Sequence, residues 1–163
     1  MDYASSILFM GTGATLATDL WAIARGRLLG VPAPDWGLVG RWFGHMARGR
    51  FRHERIAAAE PVRGERVIGW TAHYLIGIAY AGVLLAICGL AWVRQPTLAP
   101  ALAVGIATVA APFLLMQPGM GAGIAARRTP RPNSARLQSV VMHTFFGLGL
   151  YVAGLVLKLL SGE

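Results

Sequence analysis

The stretch "ERVIGWTAHYLIGIAYAGVLLAICGLAW", from Glu65 to Trp92, decides the fold. Beyond Arg66 it runs for 26 residues without an Asp, Glu, Lys or Arg. A helix that crosses a hydrocarbon core of about 30 Å needs ~20 predominantly apolar residues, and this stretch supplies them. It also carries an imidazole, His73, which an apolar span has to accommodate. Three further stretches have the same character, so the expected spans are about residues 5–25, 67–92, 98–117 and 137–160. Gly and Ala are frequent in them, and none shows the every-second-residue alternation of a barrel strand. The fold class that follows is all-α: an integral membrane four-helix bundle in a single transmembrane domain.

Composition agrees. The chain is 55% hydrophobic and 13% charged, with a mean hydropathy of +0.54, where a soluble domain carries about 25% charged residues. The first stretch does not read as a signal peptide, because Met1 to Ala4 contain no basic residue and Arg25 and Arg27 follow the apolar run. It is expected to be a retained span.

A net charge of +8 invites a nucleic-acid partner. The positions of the charges argue against one. Every Lys and Arg except Arg94 and Lys158 flanks or fills loops 26–66 and 118–136. Such asymmetry is the positive-inside pattern of a multi-pass membrane protein, and it also attracts anionic lipid head groups. The two basic loops are therefore expected in the cytoplasm and both termini outside. The partners implied are the lipid bilayer and its anionic head groups at these loops.

The first loop has its own pattern. In "VPAPDWGLVGRWFGHMARGRF", a proline break and Asp35 signal a helix start. Trp36, Val39, Trp42, Phe43 and Met46 then fall on one side, with Arg41, His45, Arg48 and Arg52 on the other. That is the pattern of a helix lying in the membrane interface. The second loop, "QPGMGAGIAARRTPRPNSAR", is rich in Gly and Pro and is expected to turn irregularly. A short pattern recurs: Arg66, His73, Gly77 and Tyr80, then Arg136, His143, Gly147 and Tyr151. Two hairpins related by a parallel repeat would produce it, as in some transporters.

Depth singles out a polar layer. His73 and His143 each lie seven residues beyond an arginine, Arg66 and Arg136. At ~1.5 Å per residue both sit roughly 10 Å inside the boundary, and Asp19, six residues before Arg25, about 9 Å. Gln117 joins them if the break at Pro118 lies at that depth. Gly69, His73, Gly77 and Ala81 form one stripe, and Ser139, His143, Gly147 and Tyr151 another. Small residues on a stripe mark where helices approach closely, so both imidazoles are expected to face inward with Asp19. An intramembrane carboxylate costs at least ~2.5–3.5 kcal/mol without a partner, and such residues are candidates for function.

The motifs "TDLWAIARGRLLGVP", "LVGRWFGHMARGRFRH", "PVRGERVIGWTAHYLIGIA", "PFLLMQPGMGAGIAARRTP" and "HTFFGLGLY" resemble a family of small bacterial membrane proteins known as domain of unknown function 2938. The resemblance covers nearly the whole chain, from about Gly11 to Ala153. It implies a bacterial inner-membrane protein, with the termini then periplasmic, and it implies no activity.

Three function classes remain. The first is a cation, metal or small-ligand site for transport or sensing, built from Asp19, His73 and His143 with Gln117 beside them. Imidazole and carboxylate suit a divalent metal such as zinc, iron or nickel, and the same groups could relay protons. Four spans make a thin wall, so a transporter would be a homodimer. The second is a membrane enzyme that holds an anionic or lipid substrate at the cytoplasmic leaflet through His45, Arg48 and His53, with a histidine as acid or base. The third is a b-type haem between His73 and His143. No Ser-His-Asp pattern or HExxH motif is present, and Cys88 is alone, which leaves no disulfide or thiolate cage within one chain.

Overall fold

The computed structural model describes residues 2–162, and all regular elements among them are helical. The first helix, α1 (Tyr3–Leu29), starts where Asp2 accepts the Ser5 N–H at 2.8 Å. Helix α2 (Trp36–Met46) starts at Asp35, which accepts the N–H of Gly37 and of Leu38. Then follow α3 (Glu65–Cys88), a short α4 (Ala91–Arg94), α5 (Leu98–Ala107), a π-helical segment Pro112–Met116, a short α6 (Gln117–Met120) and α7 (Pro132–Leu160). Four helices, Tyr3–Leu29, Glu65–Cys88, Leu98–Met120 and Pro132–Leu160, are long and apolar enough to cross a membrane.

The boundaries differ from the sequence expectation at identifiable places. The second span ends at Cys88 rather than Trp92, because Gly89 takes a left-handed conformation (φ 70°) that stops the helix. Trp92 is then free to turn inward on α4, where it is buried against Gly154. The helix that carries the fourth span starts at Pro132, ahead of residue 137. Its polar first turn is held by Arg136, which donates to Asn133 Oδ1 and to the Ala125 carbonyl. The third span is not a uniform helix. Pro112 has no N–H to give to the carbonyl four residues earlier, and the next turn widens until Gln117 N–H bonds the Pro112 carbonyl in the π register.

The chain divides into two compact units. The first comprises Met1–Ala33, Tyr74–Thr108 and Val141–Glu163. Its core joins Met10 and Ala14 of α1, Ala81, Leu84 and Leu85 of α3, Trp92 of α4, Ala101 and Val104 of α5, and Phe146, Leu150 and Leu157 of α7. Four span segments therefore meet around one apolar centre. The outside of this unit is also apolar: Leu16, Leu20, Ile23, Leu75, Val83, Ile87 and Val156 are exposed. A surface of that kind is matched to lipid, not water. Contact between helices is made close by glycine. A methyl group on Gly105 of α5 would stand 2.5 Å from Gly147 Cα on α7 and 2.8 Å from the His143 carbonyl.

The second unit comprises Pro34–His73 and Val109–Val140. It holds every Lys and Arg except Arg25, Arg27, Arg94 and Lys158. Here α2 packs on the start of α3: a Cβ on Gly40 would meet the Gly69 nitrogen at 2.6 Å. The expected loop helix is thus present, but its face is covered by protein, with Val39, Trp42 and His45 all buried. His45 belongs to that covered side and not to a polar one. Arg48 and Arg52 lie past the helix end at Met46, so the arginine periodicity is not carried by a helix that far.

Candidate functional site

The first unit holds two polar pairs on its spans. Asp19 of α1 accepts a hydrogen bond from the Tyr74 hydroxyl of α3, at 3.0 Å to Oδ2. The approach of these helices is set nearby, where Gly77 of α3 lies against Thr15 of α1 and leaves no space for a side chain. The phenol gives the carboxylate one of the bonds it loses on leaving water.

The second pair joins α7 to α5. His143 Nδ1 lies 2.9 Å from Thr108 Oγ1 and 3.3 Å from the Gly105 carbonyl oxygen. Thr108 Oγ1 is 2.6 Å from the same carbonyl, to which it donates its single proton. The hydroxyl can then only accept from His143, and a carbonyl can only accept. Both neighbours of Nδ1 therefore require the proton to sit on Nδ1. In a neutral ring this leaves Nε2 with the lone pair, able to take a proton or a cation. The absence of side chains at Gly105 and Gly147 makes this possible, because it brings the α5 backbone within reach of the imidazole.

The remaining residues of the expected layer belong to the second unit. His73 stacks on Trp36 of α2 with ring centroids 3.8 Å apart and meets the edge of Trp70 at 5.8 Å. Its stripe neighbour Gly69 lies under the Trp36 carbonyl, so close approach at this position serves α2. Gln117 Nε2 donates to Ser139 Oγ at 3.3 Å, while Gln117 Oε1 is buried with no partner among the described residues. The two histidines of the recurring pattern thus stand in different surroundings, one between indoles and one against a hydroxyl and a carbonyl. Among the described residues, no group of three or more His, Cys, Asp or Glu side chains is placed to hold a metal ion.

The second unit is organised by an ion pair that the sequence did not single out. Arg41 of α2 donates through Nε and Nη2 to both carboxylate oxygens of Glu65 on α3, each at 2.8 Å. Arg41 Nη1 also reaches the carbonyls of Ala57 and Ala59, at 3.2 and 3.1 Å. The Glu65 hydrogen bond holds the Arg41 guanidinium above its ordinary pKa. One side chain thus ties α2, the 56–59 turn and the start of α3 together. The signal available in sequence was Glu65, an acid at the mouth of an apolar span within a strongly basic loop.

Of the loop residues expected to hold an anionic substrate, His45 and His53 come together, and Arg48 N–H donates to the His45 carbonyl at 3.0 Å. Their rings meet edge to face with centroids 4.9 Å apart. His45 Nε2–H donates to the Glu60 carbonyl at 2.9 Å, and its Nδ1 is buried without a partner. Both ring nitrogens of His53 are buried and unpartnered as well. His53 lines a hollow of about 710 Å3 together with Arg50, Arg52, Glu54 and Arg55.

No curated protein and no solved structure matches the chain. A family model does, that of a protein of unknown function, DUF2938, over residues 8–157. With nearly its whole length matched and four helices able to span a bilayer, the chain belongs to the DUF2938 family.

Proposed function

We propose that this is a small bacterial inner-membrane protein that binds a proton or small cation at polar groups within its spans, in the service of transport or sensing. The observation that carries the reading is His143. With Nδ1–H directed at Thr108 and Gly105, the Nε2 lone pair is left as the acceptor that a proton or small cation would use. Asp19, with Tyr74 as donor, is the anionic counterpart in the same unit. The concentration of arginines in the second unit supports a cytoplasmic location for it, with both termini periplasmic.

The test uses proteoliposomes enclosing a pH-sensitive dye. Gradients of Na+, K+, Mn2+ or Zn2+ are imposed in turn, and the interior pH is followed. At least one gradient should drive proton movement through the wild type, and both Asp19→Asn and His143→Gln should remove it. Traces no different from empty vesicles for every cation, or variants as active as the wild type, would count against coupling. The polar pairs would then only fasten helices, a role worth about 0.6 kcal/mol per bond in membranes.

A further inference from the structure

Segment 50–59 contains only one short turn of helix, at Ile56–Ala58, yet it is fixed from three sides. Trp42 Nε1 donates to the Phe51 carbonyl at 3.0 Å. His53 N–H donates to the Gly119 carbonyl at 2.9 Å. Arg41 holds the carbonyls of Ala57 and Ala59. Gly121, at φ 98°, adopts a conformation that side chains avoid and lies flush against the Glu54 carbonyl. The segment is therefore a strap held in one shape.

What the strap presents is one-signed. Arg50, Arg52 and Arg55 line the hollow with His53, and Glu54 is the only acid among the lining residues. Among the described residues, none of the three hollow-lining guanidinium groups is held in an ion pair. The His53 imidazole, whose nitrogens are buried without partners, contributes a donor that no protein group satisfies. Three guanidinium forks and an imidazole around one hollow match the tetrahedral, multiply charged oxygens of a phosphate group. A volume of about 710 Å3 suits a small ligand or a lipid head group.

We propose that the hollow bounded by Arg50, Arg52, His53 and Arg55 binds a phosphate group, carried by a phospholipid head group or by a soluble phosphate. The proposal does not depend on the role of Asp19 or His143.

The experiment uses the full chain in maltoside micelles, which contain no phosphorus. Inorganic phosphate is titrated by calorimetry, and retention of added phosphatidylglycerol is read by native mass spectrometry. Arg52→Gln, Arg55→Gln and His53→Gln should each weaken binding about tenfold or more, the usual cost of one lost charge-assisted bond. Arg63→Gln, an exposed arginine outside the hollow, should leave binding unchanged. Saturable phosphate binding that the hollow variants lose supports the site with a soluble ligand. Phosphatidylglycerol adducts alone, lost in the same variants, support it with a lipid ligand. The proposal is overturned if neither probe binds the wild type. It is also overturned if the hollow variants bind like the wild type, or if Arg63→Gln costs as much as Arg52→Gln.

Discussion

Replacing Arg41 with alanine is the most informative perturbation of the second unit. It removes two bonds to Glu65 and those to the carbonyls of Ala57 and Ala59. The two side chains are 12% and 23% exposed, so water replaces the lost bonds only in part. A hydrogen bond to a charged group contributes about 1.5–3 kcal/mol, and two such bonds at the lower end give roughly 3 kcal/mol. The carbonyls of the strap add a smaller amount. Glu65 keeps the Val62 N–H at 3.0 Å and stands in the first turn of α3, where the helix dipole returns about 0.3–1 kcal/mol. The net expectation is about 3 kcal/mol. Limited trypsin digestion reads it locally, because the strap carries Arg50, Arg52 and Arg55 and must lift off before cleavage. If lifting governs cleavage, about 3 kcal/mol corresponds to roughly a 100-fold faster cut in this segment. Arg41→Lys, with a point charge and no fork, should recover less than half of the effect. Glu65→Gln should release part of it, and the double variant Arg41→Ala with Glu65→Gln should fall short of the sum by about 1–2 kcal/mol. Cleavage of Arg41→Ala at the wild-type rate, or strict additivity in the cycle, would refute the argument that this residue holds the strap.

Gly105→Ala should push α5 off α7, at a cost of about 1–3 kcal/mol in thermal stability. It should also move the nitrogen NMR signal of the His143 Nδ1–H, which draws on the Gly105 carbonyl. Tyr74→Phe should leave the fold intact, as read by circular dichroism, and should mimic Asp19→Asn in the proteoliposome assay if the phenol positions the carboxylate; full activity would separate the two residues. Reporter fusions within residues 48–55 and at the C-terminal residue, Glu163, which lies outside the described residues, should report opposite compartments, and a cytoplasmic C-terminus would reverse the proposed orientation. Asp2→Ala should lower the melting temperature slightly through the lost cap of α1.

The spans were legible in the sequence because the bilayer imposes one simple requirement, a long run without charge. Their ends were less so. Trp92 reads as apolar span in "AICGLAW", but the backbone turns at Gly89, and only the position of the glycine hints at it. The glycine stripes correctly marked close approach, yet a stripe does not name the partner: Gly69 meets α2, Gly77 meets α1 and Gly147 meets α5. For that reason the close approaches could be identified while the partners could not. Tyr74 and Thr108 escaped notice because a hydroxyl in an apolar run is chemically unremarkable until its partner is known. His45 was assigned to a polar face by periodicity, whereas burial on α2 is decided by what packs over it.

The π-helical segment Pro112–Met116 has a consequence for helical phase. A π turn carries one residue more than an α turn would, and each residue of an α-helix advances by about 100° around the axis. Everything beyond Met116 is therefore rotated relative to an uninterrupted helix of the same sequence. Gln117 faces Ser139 in this rotated frame. Deleting a single residue between Pro112 and Met116 would let the turn close into regular α geometry while preserving its apolar character. Gln117 would then keep its place against Ser139 and Gly119 its place against the indole of Trp42, whereas closing the turn with every residue kept would swing both about 100° away. The third span therefore counts its residues as well as its hydrophobicity.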